Sequence, residues 1–186
     1  MSTARGRILL VCDGNRARSP LAAALFEMAL EARGIRSIAV RTAGLRVREA
    51  GAPPVEAAVH LARLRGVDLS GHRAKSVNGR TLAGTAIVLT MTESQRRALA
   101  HLAPDAVPRT FTLLEVGRLL ADAPDEPTTM AGLAVTAHRR RPRVQPAAEA
   151  EDVVDPVGAH DRAWRQVYAR INDVVRPLVD RLEVRS

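Results

Sequence analysis

The sequence has a single cysteine, Cys12, among its 186 residues. A lone cysteine cannot form an internal disulfide, so the chain is not a small disulfide-stabilised fold. It also lacks any run close to the roughly 18 consecutive apolar residues of a membrane-spanning helix. Its N-terminal segment has no apolar region followed by a small-residue cleavage site, as a secretory signal would have. These absences predict a cytoplasmic location and no membrane partner.

Aromatic side chains are also scarce, since the chain has two Phe, one Trp and one Tyr. Of the 28 basic residues only Lys75 is a lysine, and the formal net charge is +8. Such a surface attracts anions, but it has no clustered basic helix or interleaved aromatics of the kind that bind nucleic acid. Nucleic acid is therefore not the expected partner. The five histidines have no metal-ligand spacing with carboxylates or the cysteine, so neither a metal nor a cofactor is expected.

Apolar stretches alternate between strand-like and helix-like patterns along most of the chain. Each short apolar run is followed by a stretch with helical spacing and glycine or proline boundaries. This alternation predicts a three-layer α/β sandwich in which helices cover both faces of a parallel sheet. The predicted strands cover about 7–12, 37–42, 86–91 and 107–111, and the predicted helices cover 19–34, 54–65, 93–102, 113–121 and 159–182.

Residues 123–150 break this alternation. The segment contains four prolines and a strongly basic run at 138–143. Its composition predicts a long surface loop, inserted into a single domain that spans residues 1–186.

The segment that carries most chemical information lies between the first predicted strand and the first predicted helix. Its sequence is Val11-Cys12-Asp13-Gly14-Asn15-Arg16-Ala17-Arg18-Ser19-Pro20, in which Ser19 is a good N-cap and Pro20 suits the first helical position. At such a junction several backbone N–H groups point at one spot and the helix dipole adds positive potential, so an anion fits there. We call residues 12–19 the phosphate loop. Its predicted phosphate-binding residues are Asp13, Gly14, Asn15, Arg16, Ala17 and Ser19, together with Arg18, whose planar fork can hold two phosphoryl oxygens.

The same electrostatic field acts on Cys12. Helix N-termini and neighbouring arginines favour a thiolate, and Ser19 Oγ can add a hydrogen bond to the sulfur. Gly14 and Asn15 tolerate the left-handed backbone that a tight cradle requires. A thiolate beneath a phosphate, with donors around the phosphoryl oxygens, suits in-line phosphoryl transfer to sulfur. The segment therefore predicts a phosphomonoester hydrolase that works through a phosphocysteine intermediate.

The phosphate loop resembles the signature Cys-x-Gly-Asn-x-Cys-Arg-Ser of the low-molecular-weight protein tyrosine phosphatases, whose fold is shared with thiol-linked arsenate reductases. Three further motifs resemble that family in order: Thr42-Ala43-Gly44, Asp68-Leu69-Ser70-Gly71-His72-Arg73-Ala74 and Asp155-Pro156. The resemblance spans nearly the whole chain except about 123–150. It implies a four-stranded parallel sheet flanked by helices, and protein tyrosine phosphatase activity without a cofactor.

The resemblance also implies roles for residues outside the phosphate loop. Asp155 is the expected general acid, which protonates the leaving oxygen and then activates water against the phosphocysteine. Asp152 and Asp161 are local competitors, and Pro156 favours Asp155 because it stiffens the loop. His72 is expected to support the phosphate loop through Asn15, and Thr42 is expected to support it from the second strand.

The chain departs from the family in two places. Ala17 replaces the second loop cysteine, so Cys12 cannot be protected as an internal disulfide, and no cysteine relay for arsenate reduction exists. The family's substrate pocket has apolar and aromatic walls. The corresponding positions here are Asp13, Arg16, the stretch 45–48 and Val157, none of which is aromatic.

These departures leave alternatives open. One is a phosphatase that acts on a small anionic metabolite, such as a nucleotide or a sugar phosphate, because arginines at the pocket rim favour a second anion. Another is a catalytically silent phosphate-binding protein, although a binding protein needs neither Cys12 nor Asp155. The basic run at 138–143 is predicted to be a solvated loop, with gating of the site or recognition of an acidic partner as alternatives. The sequence does not indicate which oligomeric state the protein has.

Overall fold

The computed structural model describes residues 6–145 and 151–184. Within these ranges four strands alternate with helices, as the apolar pattern predicts, and one additional short helix precedes the third strand. The strands are β1 (Gly6–Cys12), β2 (Ile38–Gly44), β3 (Ile87–Thr90) and β4 (Thr110–Thr112); the α-helices are α1 (Arg18–Ala32), α2 (Glu56–Arg63), α3 (Gly79–Leu82), α4 (Glu93–Leu102), α5 (Leu113–Ala121), α6 (Met130–Arg140) and α7 (Asp161–Asp180), and a 3₁₀ helix covers Pro104–Arg109.

The strands form one parallel sheet in the order β2-β1-β3-β4. Leu10 in β1 lies opposite both Thr42 in β2 and Leu89 in β3, which fixes the register at the centre of the sheet. The predicted four-stranded parallel α/β fold is confirmed. β4 is shorter than predicted, because the 3₁₀ helix takes up most of the stretch that was expected to begin the strand.

Helices cover both faces of this sheet because alternate side chains of β1 point to opposite sides. Ile8 and Leu10 belong to the larger apolar cluster, which α1, α5, α6 and α7 complete. Leu9 and Val11 belong to a smaller cluster with Leu99 of α4. All four β1 side chains are fully buried, which explains why β1 reads as a continuous apolar run.

The prediction of a surface loop over 123–150 is wrong for its central part, which forms α6. Thr129 caps this helix by accepting a hydrogen bond from the Gly132 N–H. Met130, Leu133, Ala134 and Ala137 are buried against the larger apolar cluster. Helical spacing was present at these positions, but prolines on both sides dominated the composition of the segment. Residues 146–150 lie outside the described residues.

The basic run is likewise tied to the protein rather than solvated throughout. Arg140 donates to the Leu119 carbonyl, and Arg141 forms an ion pair with Glu115 at 2.8 Å and lies over the Phe111 ring. Two of its arginines are therefore occupied by internal contacts, which removes support for a gate or an acidic-partner site built on them.

The strand order places the phosphate loop at a reversal in the sheet. From β1 the chain continues to β2 at one edge of the sheet, and from β3 it continues to β4 at the opposite edge. The carboxyl end of β1 therefore lies beside the point where the strand order reverses. Ligands of open α/β sheets bind in the crevice outside such a point.

Over residues 6–145 and 151–184, none of the helices combines the length and hydropathy needed to cross a membrane.

Candidate active site

The phosphate loop turns its carbonyl groups outwards. Five carbonyls in or beside the turn accept hydrogen bonds from groups outside it or from the first turn of α1. These are Cys12 O from Leu45 N (2.9 Å), Asp13 O from Arg46 N (2.9 Å), Asn15 O from His72 Nε2 (2.7 Å), Arg16 O from Val55 N (2.9 Å) and Ala17 O from Leu21 N (3.1 Å).

This arrangement leaves the N–H groups facing inwards. In a trans peptide the N–H of the next residue points opposite to the carbonyl, and the described chain has no cis peptide bonds. The N–H groups of Asp13, Gly14, Arg16, Ala17 and Arg18 therefore point away from those outer partners. Within the described chain, the N–H groups of residues 13–17 have no hydrogen-bond acceptor. Converging free donors at the start of a helix form a cradle for an anion.

Cys12 lies at the base of this cradle, at the end of β1. Its side chain is buried, and Sγ lies 3.0 Å from Ser19 Oγ. Ser19 Oγ also accepts from Asn15 Nδ2 at 3.0 Å, so the hydroxyl proton is free to be donated to the sulfur. The predicted N-cap role of Ser19 is wrong: α1 begins at Arg18 after Ala17, and no side chain caps it. The serine hydroxyl contacts the nucleophile instead.

Asn15 holds the shape of the loop. It is fully buried with φ = 55°, a left-handed conformation that asparagine tolerates better than most residues. Its Oδ1 accepts from the Lys75 N–H at 3.0 Å, so both ends of the amide are used. Gly14 also tolerates a left-handed backbone, but it does not have a positive φ, so Asn15 alone uses that conformation within the phosphate loop. Lys75 is a loop partner that the sequence alone did not indicate.

His72 makes the predicted contact with Asn15, since its Nε2 lies 2.7 Å from the Asn15 carbonyl and must donate to it. Burial lowers the pKa of His72, the hydrogen bond to Asn15 opposes that change, and the charges of Lys75 and Arg73 add to the lowering. Thr42 is buried beside Leu10, but its side chain makes no hydrogen bond with the phosphate loop within the described chain.

Arg18 joins the phosphate loop to Asp155. Its guanidinium is 4% exposed and donates to Asp155 Oδ2 at 2.6 Å, to Asp13 Oδ2 at 3.3 Å and to the Val153 carbonyl at 3.2 Å. Its Nε is buried without a partner within the described chain, although buried polar groups are normally paired. Arg18 thus brings Cys12's loop and Asp155 together and keeps one unused buried donor there.

Residues 151–158, which we call the acid loop, distinguish Asp155 from its competitors. Asp152 Oδ1 accepts from the Glu93 N–H at 2.8 Å, and Asp161 is the first residue of α7. Asp155 alone among the three contacts Arg18, and its other oxygen accepts from the Val157 N–H at 3.2 Å.

Asp13 is the residue whose environment the sequence predicted least well. Its Oδ1 pairs with Arg46 at 2.7 Å, and its Oδ2 accepts from Gln95 Nε2 at 2.7 Å. Burial would raise the pKa of Asp13, but the Arg46 and Gln95 hydrogen bonds and the Arg46 and Arg18 charges together lower it. Gln95 is buried and also accepts from the N–H groups of Met91 and Thr92, so it ties the phosphate loop to the start of α4. The Thr-x-x-Gln spacing signals a helix cap but gives no hint of the contact with Asp13.

Arg16 lies at the rim of the cradle. Its side chain is exposed, and its Nε donates to the Pro53 carbonyl at 2.7 Å. The Arg46 side chain is also exposed, but Asp13 offsets its charge. Phe26 and Phe111 are fully buried, Trp164 is buried and Tyr168 lies against Arg65, so none of the chain's four aromatic residues is free to form a pocket wall. No group of three or more potential metal ligands occurs among the residues described by the structure.

Comparison with known proteins places this geometry in a family. Residues 7–119 match the family model "Low molecular weight phosphotyrosine protein phosphatase". A probable low molecular weight protein-tyrosine-phosphatase EpsP from Ralstonia solanacearum is 32% identical over 124 residues, which cover 67% of this chain and 81% of that protein. A protein-arginine-phosphatase from Geobacillus stearothermophilus is 34% identical over 107 residues, covering 58% of this chain and 68% of that protein.

The fold comparison agrees. The crystal structure of a low molecular weight protein tyrosine phosphatase from T. tengcongensis superposes with a TM-score of 0.73 at 27% identity, and the match covers 95% of this chain and 99% of that one. The Bacillus subtilis YwlE mutant structure gives a TM-score of 0.72 at 22% identity and supports the shared fold. The chain belongs to the low molecular weight phosphotyrosine protein phosphatase family, whose members are cysteine-dependent phosphoric monoester hydrolases.

Proposed function

We propose that the protein hydrolyses phosphomonoesters of protein side chains through a phosphocysteine intermediate, with phosphotyrosine as the substrate that the family implies. Cys12 is the nucleophile, Arg18 binds the phosphoryl oxygens and Asp155 is the general acid. The observation that carries the proposal is the outward direction of the five loop carbonyls, which turns the following N–H groups towards the inside of the loop that begins at Cys12.

The reaction then has two steps. The Cys12 thiolate attacks phosphorus while the bond to the leaving oxygen breaks, and Asp155 donates its proton to that oxygen. A water next attacks the phosphocysteine, Asp155 accepts a proton from it, and the P–S bond breaks to release phosphate and restore the thiolate. A bound phosphoryl group competes for the Arg18 nitrogens that Asp155 contacts in the free protein, which frees Asp155 Oδ2 for proton transfer.

The first test is release of p-nitrophenol from p-nitrophenyl phosphate by wild type and Cys12→Ser. The activated leaving group makes this substrate tolerant of a poorly matched pocket. We expect turnover by the wild type and a loss on the order of 10⁴-fold or more in Cys12→Ser, because no other residue supplies the nucleophile. Turnover retained by a folded Cys12→Ser protein would contradict the phosphocysteine mechanism.

A second candidate function is hydrolysis of a small anionic metabolite, which the pocket rim favours. The chain has no aromatic side chain available to stack on a phenyl ring, and each missing aromatic contact lowers binding by about 0.5–1.5 kcal/mol beyond buried area. Arg16 is exposed, and only its Nε is bonded to the protein, so its terminal nitrogens can bind a second anionic group.

Substrate comparison separates the two candidates. kcat/KM is measured for a phosphotyrosine peptide, a phosphoarginine peptide, a nucleoside monophosphate and a sugar phosphate, with Arg16→Ala and Arg36→Ala as variants. Arg36 precedes β2, at the opposite end of the sheet from the phosphate loop, and serves as the matched control. Preference for the phosphotyrosine peptide supports the first candidate, whereas preference for the phosphoarginine peptide, in which nitrogen rather than oxygen carries the phosphoryl group, contradicts it. Preference for a small phosphate supports the second candidate if Arg16→Ala removes that preference and Arg36→Ala does not.

A cytoplasmic location stays a prediction.

A further inference from the structure

The acid loop has no regular secondary structure before Pro156, yet its first residues are firmly attached to the protein. Glu151 forms a two-pronged ion pair with Arg118 of α5, with Nε–Oε1 at 2.6 Å and Nη2–Oε2 at 3.0 Å. Arg118 also donates from Nη1 to the Gln145 carbonyl at 2.6 Å. One arginine therefore contacts the chain on both sides of residues 146–150.

The next two residues make separate attachments. The Asp152 carboxylate accepts from the N–H of Glu93, the first residue of α4, where the helix dipole favours a negative charge. Val153 is fully buried, its N–H donates to the Met91 carbonyl at 2.7 Å, and its carbonyl accepts from Arg18. Three consecutive residues are thus fixed to α5, α4 and the end of β3.

Asp155, in contrast, has few contacts of its own. Its side chain is about half exposed, and within residues 6–145 and 151–184 its hydrogen bonds are limited to Arg18 and the nearby Val157 N–H. When Arg18 turns to a phosphoryl group, Asp155 loses its strongest contact at the moment when its position matters. Its location must then depend on its chain neighbours, which are the buried Pro156 after it and the attached residues 151–153 before it.

We infer that Arg118 and Glu151 are positioning residues for the reaction, which hold the acid loop so that Asp155 reaches the leaving oxygen. This inference rests on the proposed role of Asp155 as general acid. The two-pronged geometry suits it, because paired N–H···O bonds fix orientation as well as distance. Both side chains are partly shielded, at 27% and 20% exposure, so water competes for them less than at an open surface. The Glu151 contact also raises the pKa of Arg118.

A positioning defect has a distinctive kinetic signature. p-Nitrophenolate leaves readily without a proton, whereas the leaving oxygen of phenyl phosphate is far more basic and needs the general acid. Loss of Asp155 positioning therefore reduces kcat/KM for phenyl phosphate much more than for p-nitrophenyl phosphate. A general loss of stability or of phosphate binding reduces both equally.

The experiment compares kcat/KM for these two substrates in wild type, Glu151→Gln, Arg118→Gln, the double variant and Asp155→Asn. Glu151→Gln keeps the side-chain shape and removes only the charge. Arg97→Gln is the matched control, because it removes an ion pair of the Glu93 side chain at 3.0 Å, whereas the acid loop binds the Glu93 backbone N–H, which the substitution leaves in place. Urea unfolding of each variant confirms that the protein compared is folded.

We expect Asp155→Asn to lower kcat/KM for phenyl phosphate by about 10²–10³-fold, and Glu151→Gln to lower it by roughly 10-fold with less than about a twofold effect on p-nitrophenyl phosphate. Arg118→Gln should match Glu151→Gln, and the double variant should be no worse than either, because the pair acts as a unit. Arg97→Gln should resemble wild type.

The outcomes separate this inference from the proposed function. Equal losses on both substrates in Glu151→Gln, or no loss on either, with a leaving-group effect intact in Asp155→Asn, overturn the positioning role alone. Absence of a leaving-group effect in Asp155→Asn overturns the general-acid assignment and the inference with it. If Glu151→Gln does not fold, Asp152→Ala removes the attachment to α4 and must show the same selective loss on phenyl phosphate.

Discussion

The phosphate loop and the acid loop meet at Arg18, but they differ in the share of short-range contacts that hold them. In the phosphate loop, Cys12 contacts Ser19 seven residues later, and Asn15 contacts Ser19 four residues later. The acid loop is held by Arg118, 33 residues away, by the start of α4, 59 residues away, and by Arg18, 135 residues away. The chemical groups of the first loop lie in consecutive residues, although distant partners such as His72 and Lys75 support its backbone, whereas the position of the second loop depends on the completed fold.

This contrast predicts which substrates are affected by a substitution in each loop. A change within the phosphate loop alters the cradle directly, and it should affect every substrate. A change at the anchors of the acid loop leaves the cradle intact, and it should affect only substrates that need a proton. Three substitutions test this division, beginning with Arg18, which lies in the phosphate loop and contacts the acid loop.

Arg18→Lys should have the largest effect of the three. Lysine keeps the charge but cannot contact Asp155, Asp13, the Val153 carbonyl and a phosphoryl group with one planar fork. We expect kcat/KM to fall on the order of 10²–10³-fold for both p-nitrophenyl phosphate and phenyl phosphate, with a larger loss on phenyl phosphate because the acid loop also loses a contact. A loss confined to one substrate would show that Arg18 does not join the two loops.

The same contrast explains how much could be predicted from sequence. The strand, loop and helix around Cys12 were predictable, because short-range periodicity and glycine and asparagine preferences decide them. The Gln95–Asp13 contact was not, since α4 and the phosphate loop meet only after the sheet has formed. Ser19 shows the limit of local rules. Its position suits an N-cap, but its hydroxyl contacts Cys12 and Asn15 instead of a backbone N–H of α1. α6 was missed because flanking prolines outweighed its helical spacing.

Gly44→Ala should have an intermediate effect, through packing against the phosphate loop. A Cβ at Gly44 would lie 2.5 Å from the Asp13 carbonyl oxygen and 2.6 Å from Val47 Cγ2, so the loop backbone or its neighbour must move. We expect the free energy of unfolding to fall by about 1–3 kcal/mol, measured by urea denaturation. kcat/KM should fall by a similar factor on both aryl phosphates, because the acid loop is untouched.

Gly71→Ala provides the control for that change. Gly71 has no positive φ, and a Cβ there would meet nothing within 4 Å. Its unfolding free energy should stay within about 0.5 kcal/mol of wild type. If both alanine variants lose the same stability, then contact with the phosphate loop does not explain the Gly44→Ala effect, because the lower backbone entropy of alanine in the unfolded chain stabilises a protein rather than destabilising it.

Substitution of His72, which supports the phosphate loop, should have the smallest effect of the three. The expected effect is a change in how the free energy of unfolding depends on pH. Burial lowers the pKa of His72 in the folded protein, so the unfolded chain takes up the proton first as the pH falls below about 7. The unfolded state binds more protons over that window, and the free energy of unfolding therefore decreases on acidification. His72→Gln can keep a donor for the Asn15 carbonyl but does not titrate.

The measurement is the unfolding free energy of wild type and His72→Gln by urea denaturation at about pH 7.5 and about pH 5.5. Glu27, Arg41, Asp68 and Lys75 line the same cleft as His72, and they are present in both proteins, so their titration cancels in the difference. We expect a smaller loss of stability on acidification in His72→Gln than in wild type. An equal or greater loss in the variant would mean that the histidine is not held neutral by its burial, and that the phosphate loop is supported by its hydrogen bond alone.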